Sequence, residues 1–311
     1  MTSRTRSVAI AAVAVAGLLE LATALAGVGG SRDRADVASA ANGSIAFVRS
    51  RGRVAEVLSV AANGGEPVAL TTGPGTASTP AWSPDGTRLA YAWRRWPSGF
   101  SIYVASADGT GAHRITDGRW IDGAPSWSPD GSRIVFSSNR GSSDLGFAIH
   151  VMDADGTALE RLTDGIAPAW SPDGSAIAFA RDVRGSYDVF AIRPDGGDLW
   201  NLTEHPADDR DPAWSPDGRY VAFASDRDGD FDLYVMGADG SHLRRLTDGP
   251  GDDRGPAWSP DGTMIAFSRE AGASTHIWLV TVDGVQIRPL TSGPLYDVEP
   301  SWQPLPLAGG A

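Results

Sequence analysis

The 311-residue chain contains no cysteine and no lysine. The absence of cysteine excludes disulfide bonds, a thiol nucleophile, a thiolate metal site and a lipid-modified cysteine behind a signal peptide. All 26 basic residues are arginines, and 38 acidic residues outweigh them to give a net charge of −12. An acidic chain repels phosphate backbones and anionic membrane surfaces, so neither nucleic acid nor a membrane surface is an expected partner.

Two common signatures of enzymes are also missing from the sequence. No Gly-x-Ser-x-Gly motif occurs, which leaves a serine-peptidase interpretation without its nucleophile. The five histidines are scattered along the chain, and no two of them have the spacing of a metal-ligand pair. We therefore predict a protein that is not an enzyme and has no cofactor.

The N-terminus carries the longest apolar run. Arg4 and Arg6 precede apolar residues 8–19, and small-x-small sequences follow at 22–24 and 24–26. This order of basic, apolar and cleavable segments is typical of a secretory signal peptide. We predict a signal peptide over 1–26, a flexible spacer over 27–41 and a tail over 305–311. An uncleaved anchor is one alternative, because residues 8–28 are long enough to span a bilayer, and a buried helix is another. The signal peptide and the anchor both place the rest of the chain outside the cytoplasm.

Six tryptophans recur every 43 to 45 residues, and we call them the repeat tryptophans: Trp82, Trp127, Trp170, Trp214, Trp258 and Trp302. A proline lies two residues before each of them, and five of the six begin the phrase Trp-Ser-Pro-Asp-Gly. A period of about 40–45 residues is typical of β-propeller blades, in which each repeat is one small sheet.

One repeat, residues 212–247, shows how such a sheet is encoded. Three β-rich segments at 212–214, 220–224 and 232–236 are followed by a fourth at 243–247. The Ser-Pro-Asp-Gly turn separates the first two segments, and Asp239-Gly240 separates the last two. The pattern predicts four antiparallel strands per repeat and no helix.

The two ends of the repeat region complement each other. The first repeat, residues 43–71, lacks its tryptophan strand, whereas residues 300–304 contain only a tryptophan strand. If the strand of Trp302 joins the N-terminal sheet, the array closes without an open edge. We therefore predict an all-β fold over 42–304: a six-bladed β-propeller of four-stranded antiparallel blades, closed by the Trp302 strand, and a monomer.

These phrases resemble the propeller blades of the TolB family, the periplasmic component of the bacterial Tol–Pal system. The shared signature is Pro-x-Trp-Ser-Pro-Asp-Gly-x-x-Ile-Ala-Phe, then Asp-Ile-Tyr-Val, Asp-Gly and Arg-Leu-Thr, and it covers roughly 43–304. The family also has an α/β domain before its propeller, where this chain has only the spacer 27–41. The resemblance implies an exported, non-enzymatic interaction platform in the cell envelope. Similar blades occur in polysaccharide lyases and peptidases, so an enzyme with its site at the channel mouth is the alternative.

The face opposite the repetitive turns varies from repeat to repeat, and variable loops on a rigid scaffold commonly bind partners. The predicted partner-binding residues lie there: Trp93, Arg95, Trp96, Trp120, Asp122, Asp209, Arg210, Asp253, Arg254 and Asp297. Trp and Arg are enriched at binding hot spots, which favours a protein partner, or a glycan stacked on the aromatic rings. The alternatives are salt bridges for the charged residues and packing between blades for Trp93 or Trp96.

One loop, residues 226–232, carries aspartates at alternate positions, as Ca²⁺-binding loops do. It lacks the bidentate glutamate that such loops place at their end. We expect no metal here, with Ca²⁺ as the alternative.

Overall fold

A computed structural model describes residues 43–141 and 146–305. Within these two ranges every regular element is a β-strand, as the sequence predicted. The predicted signal peptide, the spacer and residues 306–311 of the tail lie outside the described residues. In the described part of the chain, no helix is long and apolar enough to cross a membrane.

The strands fall into six groups of four, which we call units 1 to 6. Unit 1 combines the first three strands of the chain with the last one: β1 (Ser44–Arg51), β2 (Val54–Ala61), β3 (Val68–Ala69) and β24 (Tyr296–Trp302). Unit 2 consists of β4 (Thr76–Trp82), β5 (Arg88–Arg94), β6 (Ser101–Ser106) and β7 (His113–Arg114). Unit 3 consists of β8 (Asp122–Trp127), β9 (Arg133–Ser138), β10 (Ala148–Asp153) and β11 (Glu160–Asp164).

The remaining three units have the same composition and order. Unit 4 consists of β12 (Ile166–Trp170), β13 (Ile177–Val183), β14 (Ser186–Ile192) and β15 (Trp200–Asn201). Unit 5 consists of β16 (Asp209–Trp214), β17 (Tyr220–Ser225), β18 (Asp232–Gly237) and β19 (Arg244–Arg245). Unit 6 consists of β20 (Asp253–Trp258), β21 (Met264–Ala271), β22 (Ser274–Thr281) and β23 (Ile287–Pro289).

Neighbouring strands within each unit pair antiparallel, so the predicted four-stranded antiparallel sheets are confirmed. β24 pairs with β1 in the same way, with Trp302 opposite Ile45. Single parallel pairs link unit 1 to unit 2 (Ala55 with Thr76) and unit 6 to unit 1 (Thr275 with Tyr296). The last strand of the described chain thus pairs with the first.

The fourth strand of unit 5 is shorter than the sequence predicted, whereas that of unit 3 spans five residues. In unit 5 the strand spans only Arg244–Arg245, because Leu246 and Thr247 both turn their N–H groups to one carbonyl, that of Leu233. The Thr247 hydroxyl then accepts a hydrogen bond of 2.9 Å from the Leu233 N–H. The threonine of the repeated Leu-Thr or Ile-Thr phrase is therefore a cap for the third strand, in place of further ladder pairing.

The Ser-Pro-Asp-Gly turns are held by their own side chains. In unit 3 the Ser128 hydroxyl donates to the Asp130 carboxylate at 2.5 Å, and Asp130 also accepts the N–H of Ser132 at 3.0 Å. These hydrogen bonds lower the pKa of Asp130 to about 2. Each partner of this aspartate lies within its own turn, so the most repetitive phrase of the sequence is scaffold.

The hydrophobic core is divided among the boundaries between units. Six clusters of buried side chains each combine residues of two neighbouring units, and one of them joins unit 6 to unit 1 through Ile277 and Phe47. Indole groups add directional links across the same boundaries: Trp127 Nε1 donates to the Ala81 carbonyl of the preceding unit at 3.1 Å. Apolar burial between sheets is thus what holds the units to one another.

Candidate functional site

All six units contribute to the wall of one cavity of about 430 Å³. In every unit the contributing residues stand four, three and two positions before the repeat tryptophan, as in Ser78, Thr79 and Pro80 before Trp82. Further wall residues stand at the start of a first strand, at the end of a second strand or just before a third strand, such as Tyr296, Glu270 and Phe147 respectively. The cavity therefore lies at the variable face, where the sequence predicted binding.

The residue three positions before each repeat tryptophan, here called the bulge residue, has an unusual backbone. Its φ is positive, between 49° and 61°, in all six units, and these residues are Thr79, Ala124, Ala167, Asp211, Gly255 and Glu299. The strand register shifts at the same place in every unit. A proline follows each bulge residue and cannot donate to the ladder, so the strand bulges and brings this residue into the cavity wall.

Hydrogen bonds cross between units along this ring of bulge residues. The N–H groups of Ala167 and Glu299 donate to Ser137 at 2.9 Å and Ser268 at 3.0 Å, each in the preceding unit. Units 1 and 2 have Val48 and Ala92 where units 3 and 6 have these serines. In units 1 and 2 the bulge side chains are the acceptors instead. Glu299 accepts the N–H of Thr79 at 2.5 Å, and the Thr79 hydroxyl accepts the N–H of Ala124 at 3.0 Å.

Glu299 is an acid in a largely apolar setting. Burial raises the pKa of Glu299 to about 8, repulsion from Asp211 adds to this, and the Thr79 N–H opposes it. The charged wall residues belong to units 5, 6 and 1, or to their loops: Arg210, Asp211, Asp252, Arg254, Glu270 and Glu299. Units 2, 3 and 4 contribute only uncharged residues to the wall, so one half of the cavity is charged and the other is not.

Four of the predicted binding residues, Asp122, Asp209, Asp253 and Asp297, are buried, with at most 1% of each residue exposed. Each forms a salt bridge to an arginine of its own unit, respectively Arg140, Arg227, Arg269 and Arg49. They stand five positions before a repeat tryptophan, where the strand still faces the core. Burial and pairing agree with the salt-bridge alternative for these four carboxylates, and partner binding by them stays a prediction.

The arginine reaches its aspartate by two routes. In units 1 and 6 it stands two positions after the strand phenylalanine, as Arg49 does after Phe47. In units 3 and 5 a serine holds that position and the arginine comes two residues later. Ser138 then donates to Asp122 at 2.5 Å, and Arg140 binds both Asp122 oxygens at 2.8 Å. The guanidinium also lies over the phenylalanine ring, at 5.3 Å from the centroid of Phe136.

Arg210 and Arg254 do line the cavity, but both are already paired. Arg210 binds Asp208 at 2.9 Å and lies 4.4 Å from the ring centroid of Tyr187. Arg254 binds Asp252 at 2.9 Å and covers the ring of Phe231 at 3.5 Å. These contacts fix the two guanidinium groups against the wall.

The four residues of the predicted Trp/Arg patch lie in different environments. Trp93 packs with the buried cluster between units 1 and 2 and meets Tyr91 edge-on, at a centroid distance of 6.3 Å. Trp96 is 81% exposed, and Arg95 beside it is exposed too. Trp120 is half-buried, and its carbonyl lies against Gly99, so its segment touches the Trp96 loop. The segment of Trp120 thus adjoins the loop that carries Arg95 and Trp96, whereas Trp93 packs between units.

The aspartates of the 226–232 loop have protein partners. Asp226 accepts the N–H of Asp208 at 2.8 Å, Asp228 accepts the Tyr234 hydroxyl and Asp232 binds Arg245 at 2.5 Å. In the described ranges, no group of three or more acids or histidines is arranged to hold a metal ion. The absence of a cofactor stays a prediction.

Sequence reasoning missed the bulge residues as a set. Asp211 and Glu299 appeared only as parts of charged lead-in segments, and Ser78 and Thr79 carried no expectation. The available signal was positional. One residue stands between the variable lead-in and the proline in every repeat, and its type varies among Gly, Ala, Thr, Asp and Glu although the proline and tryptophan that follow are constant.

Two solved structures of TolB proteins share the fold. TolB from Acinetobacter baumannii matches with a TM-score of 0.76 and 24% identity, over 86% of this chain and 68% of that one. A putative TolB from Agrobacterium tumefaciens matches with a TM-score of 0.66 and 22% identity, over 84% of this chain and 98% of that one. Hydrazine synthase from Kuenenia stuttgartiensis matches with a TM-score of 0.70 and 14% identity, over 85% of this chain and 47% of that one.

At these identities the three structures show a common fold and nothing about a common activity. No curated protein sequence matches the chain. The sequence model of the TolB beta propeller domain matches it twice, over residues 37–165 and 164–304, which together cover most of its length. The chain therefore belongs to the TolB β-propeller domain family.

Proposed function

We propose that the six units are the blades of a β-propeller ring closed by β24, and that this ring is a non-enzymatic platform for a protein partner outside the cytoplasm. The ring is supported by the six core clusters, each shared by neighbouring units, and by the wall that all six units build around one cavity. The pairing of Trp302 with Ile45 supports closure by the C-terminal strand.

The observation that carries the partner site is the exposure of Trp96. At 81% it is the most exposed large hydrophobic side chain in the described part of the chain. Gly99 anchors its loop against Trp120. A large aromatic group held out on an anchored loop loses little conformational entropy on binding, and such groups are typical hot spots.

The charge near Trp96 indicates which partner surface fits. Arg95 and Arg119 are both exposed in these two adjoining segments, and Arg119, whose side chain is 82% exposed, is only loosely paired with the exposed Asp117, at 4.0 Å. A local positive charge on a chain of net charge −12 complements an acidic protein segment. We therefore propose that an acidic segment of the partner lies across Trp96, Arg95 and Trp120.

Capture of partners from native extracts tests this surface. Trp96→Ala and Arg95→Ala should each reduce recovery of the bound protein at least about tenfold, the effect of losing a hot spot. Trp200→Ala is the matched control, because Trp200 is 37% exposed on the outer strand β15 and should have no effect. Unchanged recovery with both Trp96→Ala and Trp120→Ala would contradict the proposal. Capture of a glycan and no protein would show that the partner is a carbohydrate.

Export has a separate test. If residues 1–26 form a cleaved signal, the secreted or periplasmic protein should begin after Ala24 or Ala26, where the small-x-small sequences end. N-terminal sequencing of protein recovered from cell fractions measures this. Recovery of the full-length chain in the membrane fraction would support the anchor, and recovery of the full-length chain in the cytoplasm would contradict export.

A further inference from the structure

Two carboxylates share the cavity wall with arginines that are paired to other acids. Glu299 and Asp211 are the bulge residues of units 1 and 5 and are near enough to repel each other. Within the ranges 43–141 and 146–305, neither forms a salt bridge, since the two arginines of the wall bind Asp208 and Asp252. The charged half of the cavity thus presents acidic groups whose counter-ion the fold does not supply.

The unit between these two residues adds no side chain to the wall at its bulge position. Unit 6 lies between units 5 and 1, and its bulge residue is Gly255, which has no side chain. A Cβ added at Gly255 would meet nothing closer than the Cδ of Pro300, at 4.0 Å. Any other residue here would narrow the gap between Asp211 and Glu299.

A buried hydroxyl without a hydrogen-bond partner among the described residues lies in the same cavity wall. Ser78 is only 4% exposed in the cavity wall, and its Oγ has no hydrogen-bond partner among the described residues. The following residue, Thr79, donates its N–H to Glu299. A buried hydroxyl that forms no hydrogen bond costs free energy, and a ligand with N–H donors would satisfy it.

The uncharged half of the cavity wall determines what kind of group a ligand can carry beside its cationic head. It contains Ala124, Ile166, Ala167 and their neighbouring prolines, which offer apolar contact. A metal ion fits poorly, because the described residues provide no cluster of three or more acidic or histidine ligands. Ligands that match both halves have a cationic head and a short apolar body.

We propose that the cavity is a binding site for a small organic cation. An ammonium or guanidinium head lies between Asp211 and Glu299, and an apolar body of a few carbons packs against Ala124, Ile166 and Ala167. The cavity of about 430 Å³ is within the size range of small-molecule sites. The site is separate from the Trp96 surface and does not depend on it.

Calorimetric titration with n-butylguanidinium chloride at pH 9 tests the proposal, because the guanidinium charge does not change with pH. Its neutral analogue n-butylurea should bind at least about tenfold more weakly, since it lacks the charge. Glu299→Gln should weaken guanidinium binding to a similar degree, while the amide carbonyl of the new side chain can still accept the Thr79 N–H.

Asp211→Asn is a second variant, and it removes a charge without changing the hydrogen bond between Thr79 and residue 299. Glu160→Gln, on the exposed strand β11, is the control for lost charge and should bind as the parent does.

The pH dependence gives an independent readout. The charged groups facing the cavity besides Glu299 are Asp211, Asp252, Glu270, Arg210 and Arg254. Because burial raises the pKa of Glu299 to about 8, the cation must displace its proton below that pH. Affinity should then rise about tenfold from pH 7 to pH 9 in the parent and stay flat in Glu299→Gln.

Three results would overturn the site: equal affinity for n-butylurea and n-butylguanidinium, unchanged affinity in both acid variants, or displacement of the probe by equimolar CaCl₂. The third result would identify a metal site. The Trp96→Ala variant should bind n-butylguanidinium as the parent protein does. The cation site in the cavity and the partner surface at Trp96 are therefore tested independently of each other.

Discussion

Arg49 and Asp297 are 248 residues apart in the chain, and their side chains are joined by two hydrogen bonds of 2.7 Å each. The pair connects β1 to β24, the first and last strands of the described chain. Asp297 is 1% exposed, and the Arg49 side chain is 19% exposed. A bidentate arginine–carboxylate pair combines strength with fixed geometry, so it holds these two strands in register.

Removing one member of this pair should be costly. Asp297→Ala leaves a largely buried guanidinium without its carboxylate, and we expect the free energy of unfolding to fall by about 3–5 kcal/mol. Asp164→Ala breaks an exposed pair with Arg161 and should cost less than about 1 kcal/mol. Urea denaturation of both variants measures the difference. Equal losses would show that the Arg49–Asp297 pair stabilises the fold no more than an exposed salt bridge does.

Two repeat tryptophans form a matched pair for testing the indole hydrogen bond. Trp127 and Trp170 are 6% and 7% exposed, and each lies under an arginine. Trp127 Nε1 donates to the Ala81 carbonyl, whereas Trp170 Nε1 has no partner among the described residues. Trp127→Phe should therefore lower the unfolding free energy by about 1 kcal/mol more than Trp170→Phe does. The same loss in both variants would rule out a stabilising role for the Ala81 bond.

Substitution of Trp93 and of Trp96 should lower the stability of the protein to very different degrees. Trp93→Ala removes packing between units 1 and 2 and should cost about 3–5 kcal/mol. Trp96→Ala removes a side chain that is 81% exposed and should change stability by less than about 0.5 kcal/mol. Thermal and urea unfolding of both variants test this. A large loss in Trp96→Ala would mean that its loop supports the fold.

Glu299 should make stability depend on pH. Its pKa is about 8 in the folded protein against an ordinary value of 4.5, so the folded state retains a proton that the unfolded chain releases in this interval. The contribution of Glu299 to the free energy of unfolding is therefore greatest below about pH 4.5. It falls by up to about 4 kcal/mol as the pH rises to 8. Unfolding free energies at pH 5, 6.5, 8 and 9 should fall less steeply in Glu299→Gln. Parallel curves would contradict the raised pKa.

Calcium should have no effect on stability. The loop aspartates that resemble a Ca²⁺ site already bind Tyr234, Arg245 and backbone N–H groups. We expect the melting temperature to be the same in EDTA and in millimolar CaCl₂. A rise with CaCl₂ that disappears in Asp228→Asn would establish a site in this loop.

The repeat made the strands predictable. Alternating β-formers, Ser-Pro-Asp-Gly turns and the Leu-Thr phrase each recur, so local propensity and repetition pointed to the same sheets. Trp93 and Trp96 show where such reasoning stops. They are three residues apart, but β5 ends at Arg94, so one indole packs between sheets and the other lies beyond the strand.

The acids of β24 show a second limit. Asp297 and Glu299 are two positions apart, and regular strand alternation would place both side chains on the same face. The positive φ of Glu299, 57°, breaks that alternation. Asp297 stays in the core beside Arg49, and Glu299 lines the cavity. No residue of the strand signals this bulge by itself, and only comparison of all six repeats identifies it.

The pairing of β1 with β24 also has a consequence for synthesis. A ribosome makes β1 before and β24 after every other strand of the described chain, so the first sheet stays one strand short until the other five units have been synthesised. During that interval the edge of β1 is an unpaired template for other chains, which is an aggregation risk that a chaperone would cover. Because the same pairing brings Ser44 and Trp302 into one sheet, residues near these two positions could be joined by a linker and new termini opened between two units.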